Sequence, residues 1–115
     1  MDRGERDRGE SQEQLTGRYA QLQRELAQIG YVCSGSVMQL YRTCGKPGCG
    51  CRVDPRLRHG PYYIWTRKEN GKTVTRSLSK EHAERCAEYI LNRRKMEKIV
   101  EEMKVVSTQI VEAGR

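Results

Sequence analysis

Three of the chain's five cysteines lie within eight residues, in the segment RTCGKPGCGCRVDPRLRHGPYY that begins at Arg42. The spacing is Cys44-x4-Cys49-x-Cys51-x7-His59. Structural zinc sites use four tetrahedral ligands drawn from thiolate and imidazole, and a Cys3His set is one of the standard combinations. The Gly and Pro residues between these positions let the backbone turn tightly around an ion. We therefore predict that zinc is bound by Cys44, Cys49, Cys51 and His59.

Other interpretations of the same residues stay open at this stage. Either His82 or Cys33 could replace His59 as the fourth zinc ligand. An iron–sulfur cluster would usually require a fourth Cys, which Cys33 could supply. A redox-sensing disulfide is a further alternative, since neighbouring basic residues activate thiols. Cys33 and Cys86 are otherwise interpreted as buried thiols that bind no metal.

The positive charge of the chain is confined to the segment that contains these cysteines. The net charge is +7 overall, but residues 42–80 hold ten basic and two acidic residues, a net of +8. Residues 1–41 total −1 and residues 81–115 total 0. Because a concentrated basic patch attracts polyanions, we predict a nucleic-acid partner. The expected contact residues lie on the cysteine loop and the strands that follow it, at Arg52, Arg56, Arg58, Tyr62, Lys68, Lys72 and Arg76.

The remaining sequence predicts an α+β fold. Residues 1–10 are charged throughout and predict a disordered tail, and residues 11–30 carry an a/d stripe typical of an amphipathic helix. Residues 35–90 are expected to form a zinc-loop and β-hairpin core. In it, a strand at residues 36–43 joins the hairpin strands 62–69 and 72–78, which flank the turn pair Asn70-Gly71. The two-residue turn predicts that Glu69 faces Lys72.

A long helix is expected at residues 79–113, which contain neither Gly nor Pro. Its second half carries an apolar stripe that extends beyond a sheet of this size. The stripe needs either the N-terminal helix or a second copy of the chain as its partner, so we expect a homodimer formed through the helices. The predicted architecture is thus a small three-stranded antiparallel sheet with a zinc-stapled loop, flanked by an N-terminal helix and a long C-terminal helix.

The two hairpin faces are predicted to differ. Tyr63, Trp65, Val74 and Leu78, with Arg67 and Arg76 among them, are expected on the packed face. The polar face is expected to carry a larger set: Tyr62, Ile64, Thr66, Lys68, Thr73, Thr75 and Ser77.

No reaction chemistry is evident in the sequence. The loop offers only Asp54 as a carboxylate, and a catalytic zinc needs an open position beside a base. No apolar run reaches the ~18 residues of a membrane helix. The charged N-terminus does not resemble a secretory signal. We expect a cytoplasmic protein that is not an enzyme, with no membrane and no small-molecule substrate.

Two stretches resemble known proteins. The run CGKPGCGC followed by HGPYY, a hairpin and a long charged helix resembles a family of uncharacterised small domains of bacteria, archaea and mobile elements, over about residues 35–105. This resemblance implies that Cys44, Cys49, Cys51 and His59 belong to one site. The stretch YYIWTRKENGKTVTRSLSKEHAERCAEYI is similar to the arm-type DNA-binding domain of tyrosine integrases, in which a sheet lies in a DNA groove.

Together these features predict a zinc-stabilised nucleic-acid-binding module, with DNA favoured over RNA, belonging to a regulator or mobile element. The alternative is a small adaptor or inhibitor that acts through helix-mediated protein–protein contacts. Binding to unrelated DNA separates the two, because only the first should bind it with steep salt dependence.

Overall fold

The computed structural model describes residues 11–114 and confirms the α+β class. The element order is α1 (Gln12–Ala27), β1 (Ser36–Arg42), two short 3₁₀ turns (Gly50–Arg52 and Pro55–Leu57), β2 (His59–Glu69), β3 (Lys72–Leu78) and α2 (Lys80–Ala113). The predicted disordered tail, residues 1–10, lies outside the described residues. Within the described residues, the chain divides into two units, one comprising residues 11–31 and 92–114 and the other residues 32–91.

The first unit is a pair of helices. Ser11 begins α1 with a capping box, in which its hydroxyl accepts from the Gln14 N–H and the Gln14 side chain accepts from the Ser11 N–H. The helix ends at Ala27, not near Gly30 as expected. The Gln28 and Ile29 N–H groups donate to the carbonyls three residues earlier, which tightens the last turn.

The apolar stripe of α1 packs on the second half of α2. Leu15, Leu22 and Val106 are buried together, and Tyr19, Ile99, Met103 and Ile110 pack around them. The partner that the C-terminal stripe requires is therefore α1 of the same chain. This removes the argument from which a homodimer was inferred, and the homodimer stays a prediction.

The second unit contains the sheet and the first turns of α2. The strands are antiparallel in the order β1-β2-β3. Asn70 and Gly71 both have positive φ angles, as a type I′ turn requires. The predicted register is confirmed, with Glu69 opposite Lys72 and Trp65 opposite Arg76. Strand β2 starts at His59, earlier than the expected Tyr62, because a bulge between Leu40 and Arg42 lets the pairing continue to the Arg42–His59 pair.

The register gives the sheet two distinct faces. One face carries Trp65, Arg67 and Leu78. Arg67 lies close enough to Cys86 of α2 for its charge to act on that thiol, and Ala83, Cys86 and Ile90 of α2 are buried. We call the opposite side the open face. Its side chains are those of Ser36, Met38, Leu40, Tyr62, Ile64, Thr66, Lys68, Thr73, Thr75 and Ser77. No described helix is long and apolar enough to cross a membrane.

Candidate metal centre

The cysteine loop folds back on itself between β1 and β2. The Cys49 N–H donates to the Lys46 carbonyl across a turn in which Gly48 has a φ of +81°, a value that favours glycine. Cys51 then lies in the first 3₁₀ turn and is only 1% exposed. A small thiol side chain is thus placed inside the loop rather than on its surface.

The second 3₁₀ turn is held by Asp54. Its carboxylate accepts from the Arg56 N–H at 3.0 Å and also from Nε and Nη2 of the Arg56 guanidinium. These side-chain and backbone hydrogen bonds lower the pKa of Asp54. Both oxygens of the carboxylate therefore accept hydrogen bonds within the turn. The chain continues through Arg58 to His59, the first residue of β2.

Four side chains converge in this loop. The ligand atoms of Cys44, Cys49, Cys51 and His59 all lie within 4.8 Å of one another. The Cys44 and Cys51 sulfurs are 3.6 Å apart, and Cys49 Sγ lies 3.5 Å from His59 Nε2. Tetrahedral zinc with its usual bond lengths requires about 3.8 Å between two sulfurs and about 3.5 Å between sulfur and nitrogen. The four residues are close enough to hold a metal ion.

The surroundings of the cluster suit thiolate ligands. The Cys44 N–H donates to Cys51 Sγ at 3.2 Å, a bond in which sulfur is the acceptor, as a thiolate would be. Cys44 and Cys49 are half-buried and His59 is exposed, so the cluster is closed on the Cys51 side. Lys46, Arg52 and Arg58 are exposed on the same loop and would offset the negative charge of three thiolate ligands.

The other sulfur and imidazole groups stand apart from the cluster. In the described part of the chain, the group that could hold a metal contains neither Cys33 nor His82. Cys33 lies against Cys86, whose thiol pKa is raised to about 11 by burial and then by Cys33. His82 is exposed in the first turn of α2, where its N–H donates to the Ser79 hydroxyl. The fourth member of the cluster is therefore His59.

The residues expected to contact nucleic acid fall on three parts of the second unit. Arg52, Arg56 and Arg58 lie on the loop, and Arg56 forms an ion pair with Asp54 at 2.9 Å. Tyr62 and Lys68 lie on the open face. The third part is the opposite side of β3, where Lys72 and Arg76 are exposed beside Trp65. A single flat ligand cannot contact all three parts at once.

Sequence reasoning missed Arg42. Its guanidinium lies over the Tyr62 ring, 5.3 Å from the ring centre, and it is exposed at the end of β1. The signal was present, because a strand pair in which Leu40 faces Tyr62 brings the end of β1 next to that ring.

The fold and the cluster define a small α+β domain with a closed Cys3His group suited to a structural metal. Residues 12–88 match the profile of a domain of unknown function, DUF6788, and the chain belongs to this family. The match includes α1 and ends within α2. It therefore starts before residue 35, where the family resemblance was expected to begin. No curated protein and no solved structure matches the chain significantly. The similarity to the integrase arm-type domain therefore stays a prediction.

Proposed function

We propose that this protein is a nucleic-acid-binding module whose basic segment is organised by one zinc ion on Cys44, Cys49, Cys51 and His59. The ion would join the loop to the start of β2, since His59 is both a member of the cluster and the first residue of that strand. The loop arginines would then be presented from a fixed backbone. Because four protein ligands complete a tetrahedral site, the metal would have a structural role.

The observation that carries the proposal is the distribution of ion pairs. The two acidic residues of the 42–80 segment are each paired, Asp54 with Arg56 and Glu69 with Arg67. The other eight basic residues of the segment are exposed and form no ion pair within residues 11–114. They are Arg42, Lys46, Arg52, Arg58, Lys68, Lys72, Arg76 and Lys80. A surface with this much unneutralised charge favours phosphate backbones.

The adaptor alternative depended on the apolar stripes of the helices. Those stripes are buried against each other in the first unit, through Leu15, Leu22 and Val106. They are thus used to hold the chain together. The basic segment stays exposed, so nucleic acid is the partner that we propose.

The test is binding of fluorescein-labelled single-stranded and duplex oligonucleotides of mixed sequence, followed by anisotropy from 50 to 300 mM salt. We expect affinity to fall steeply with salt, since several phosphates would be neutralised. Arg58→Glu with Lys68→Glu should weaken binding by at least tenfold. Arg94→Glu with Lys98→Glu is the matched control, because both residues are exposed on α2 outside the basic segment. Equal weakening by the two double variants, or no binding by the unmodified protein at 150 mM salt, would overturn the proposal.

A further inference from the structure

The open face of the sheet has an apolar and aromatic centre. Met38 is 58% exposed and Tyr62 39% exposed, and the half-buried Leu40 and Ile64 lie between them. Cross-strand pairing places Met38 opposite Ile64 and Leu40 opposite Tyr62, so the four side chains form one patch. A clustered apolar patch on a solvated sheet marks a binding surface.

Cations lie at both ends of this patch. Arg42 lies over the Tyr62 ring at the loop end, and Lys68 is exposed near the hairpin turn. Lys68 is six residues after Tyr62 on β2, which corresponds to about 20 Å of extended strand. Neither cation forms an ion pair with any residue in the described chain. The face therefore offers a flat apolar surface between two free positive charges.

Hydroxyl groups border the same patch. Ser36 and Thr66 are paired across β1 and β2, and Ile64 faces Ser77 across β2 and β3. The open face also presents Thr73 and Thr75 on β3, both exposed. Hydroxyl side chains donate and accept hydrogen bonds, as the 2′-hydroxyl of ribose does.

We infer that the open face binds single-stranded RNA, an assignment that rests on the proposed nucleic-acid function and names its ligand. Unpaired bases would stack on Tyr62 and cover Met38, Leu40 and Ile64. Arg42 and Lys68 would contact phosphates at the two ends, and the threonine and serine hydroxyls would contact ribose. This ligand differs from the DNA that the sequence favoured.

A duplex fits the open face poorly. Base edges in the major groove are read mainly by Arg, Lys, Asn and Gln side chains. The centre of the open face carries none of these, and Gln39 points to the opposite side, since it pairs with Tyr63. Phosphates of a duplex would lie against Met38 and Ile64 with no compensating charge. Unpaired bases bury the same apolar atoms favourably.

The experiment measures anisotropy of four labelled 12-mers of one sequence at 150 mM salt: single-stranded RNA, single-stranded DNA and the two duplexes. We expect RNA to bind at least fivefold more tightly than single-stranded DNA and tenfold more tightly than either duplex. Tyr62→Ala should weaken RNA binding by about tenfold, since it removes the ring on which a base would stack. Tyr62→Phe keeps the ring and should stay within twofold of the unmodified protein.

A second pair of variants locates the charge contacts. Arg42→Glu with Lys68→Glu alters the open face, and Lys72→Glu with Arg76→Glu makes the same charge change on the opposite side of the sheet. We expect the first pair to weaken RNA binding at least tenfold more than the second. Melting curves followed by Trp65 fluorescence verify that each variant is folded.

Different binding results would overturn the two proposals. Absence of binding to all four oligonucleotides overturns both. Tight, salt-sensitive binding that favours a duplex, or that Tyr62→Ala leaves unchanged, keeps the nucleic-acid function and overturns the assignment of the open face. Equal affinity for the two single strands overturns the choice of RNA.

Discussion

Each of the two units of the chain is stabilised internally in a different way. In the helical unit, Leu15 and Val106 are almost fully buried, and their neighbours along both helices are apolar. The second unit buries Ala83, Cys86 and Ile90 of α2, and the buried residue of its long loop is Cys51. Burying a large aliphatic side chain contributes about 1.5–3 kcal/mol. The loop has no such contribution, so we expect its fold to depend on the proposed zinc ion.

Removal of the metal should produce the largest difference between the responses of the two units. Incubation with a chelator is expected to disorder the loop and the sheet, because metal binding and folding are coupled in small sites. The chain's single Trp reports this unit, since Trp65 donates to the Ser34 carbonyl and stacks under Arg67. We expect a red-shifted Trp emission and a loss of strand signal in far-ultraviolet circular dichroism.

The helical signal should remain after chelation, whereas the Trp emission and the strand signal should return to their starting values on addition of zinc. Loss of helix and sheet together would show that the two units do not differ in the way described here. An unchanged Trp spectrum in metal-free protein would show that the loop folds without an ion.

Leu15→Ala tests the opposite unit. The substitution removes a side chain that is 2% exposed and should cost about 2–5 kcal/mol of unfolding free energy. Val111→Ala is the control, since Val111 is 69% exposed, and its effect should be within about 0.5 kcal/mol. Chemical denaturation measures both. Metal content should stay unchanged in both variants. A loss of metal in Leu15→Ala would show that the stabilities of the two units are coupled.

Gly35→Ala tests the close approach of the Gly35 backbone to Thr66 and Arg67 of β2. Gly35 has a φ of +89°, and a Cβ there would overlap the Thr66 carbonyl oxygen. We expect a loss of about 2 kcal/mol, from strain and displacement of the backbone. Gly45→Ala is the matched control, because a Cβ at Gly45 meets no atom within 4 Å. Equal melting temperatures for the two variants would contradict this account of Gly35.

The smallest effect concerns the alkaline stability of the sheet unit. Burial raises the pKa of the Cys86 thiol to about 11, with Cys33 adding to the increase and Arg67 opposing it. Because the folded pKa lies above the unfolded value, the stabilisation is complete below about pH 9 and is lost as pH rises toward 11.

Between pH 8 and pH 10, the unmodified protein should therefore lose about 1 kcal/mol more than Cys86→Ala does. Denaturant unfolding at the two pH values measures the difference. Parallel losses in the two proteins would mean that the Cys86 thiol ionises as freely in the folded state as in the unfolded state.

Much of this fold follows from local sequence patterns. Asn70-Gly71 determined the hairpin register, since a two-residue turn leaves a single pairing in which Glu69 meets Lys72. The spacing of the cysteines and His59 identified the cluster, because few other arrangements bring those groups together. The face that carries Tyr62 was also recognised from alternation along β2.

The remaining features depend on contacts distant in sequence. The α1 stripe fits either a second chain or the end of α2, and only the packing of Leu22 with Val106 decides between them. The bulge at Leu40 and Arg42 leaves no signal in β1 itself, so the start of β2 was placed too late.

Metal stoichiometry tests the central claim most directly. Protein purified without added metal should contain one zinc ion per chain by inductively coupled plasma mass spectrometry, and Cys49→Ser should contain far less and melt about 10 °C lower or more. Cys33→Ser, whose side chain lies outside the cluster, should keep its zinc. A Cys49→Ser protein with unchanged metal content and an unchanged melting temperature would contradict the metal centre.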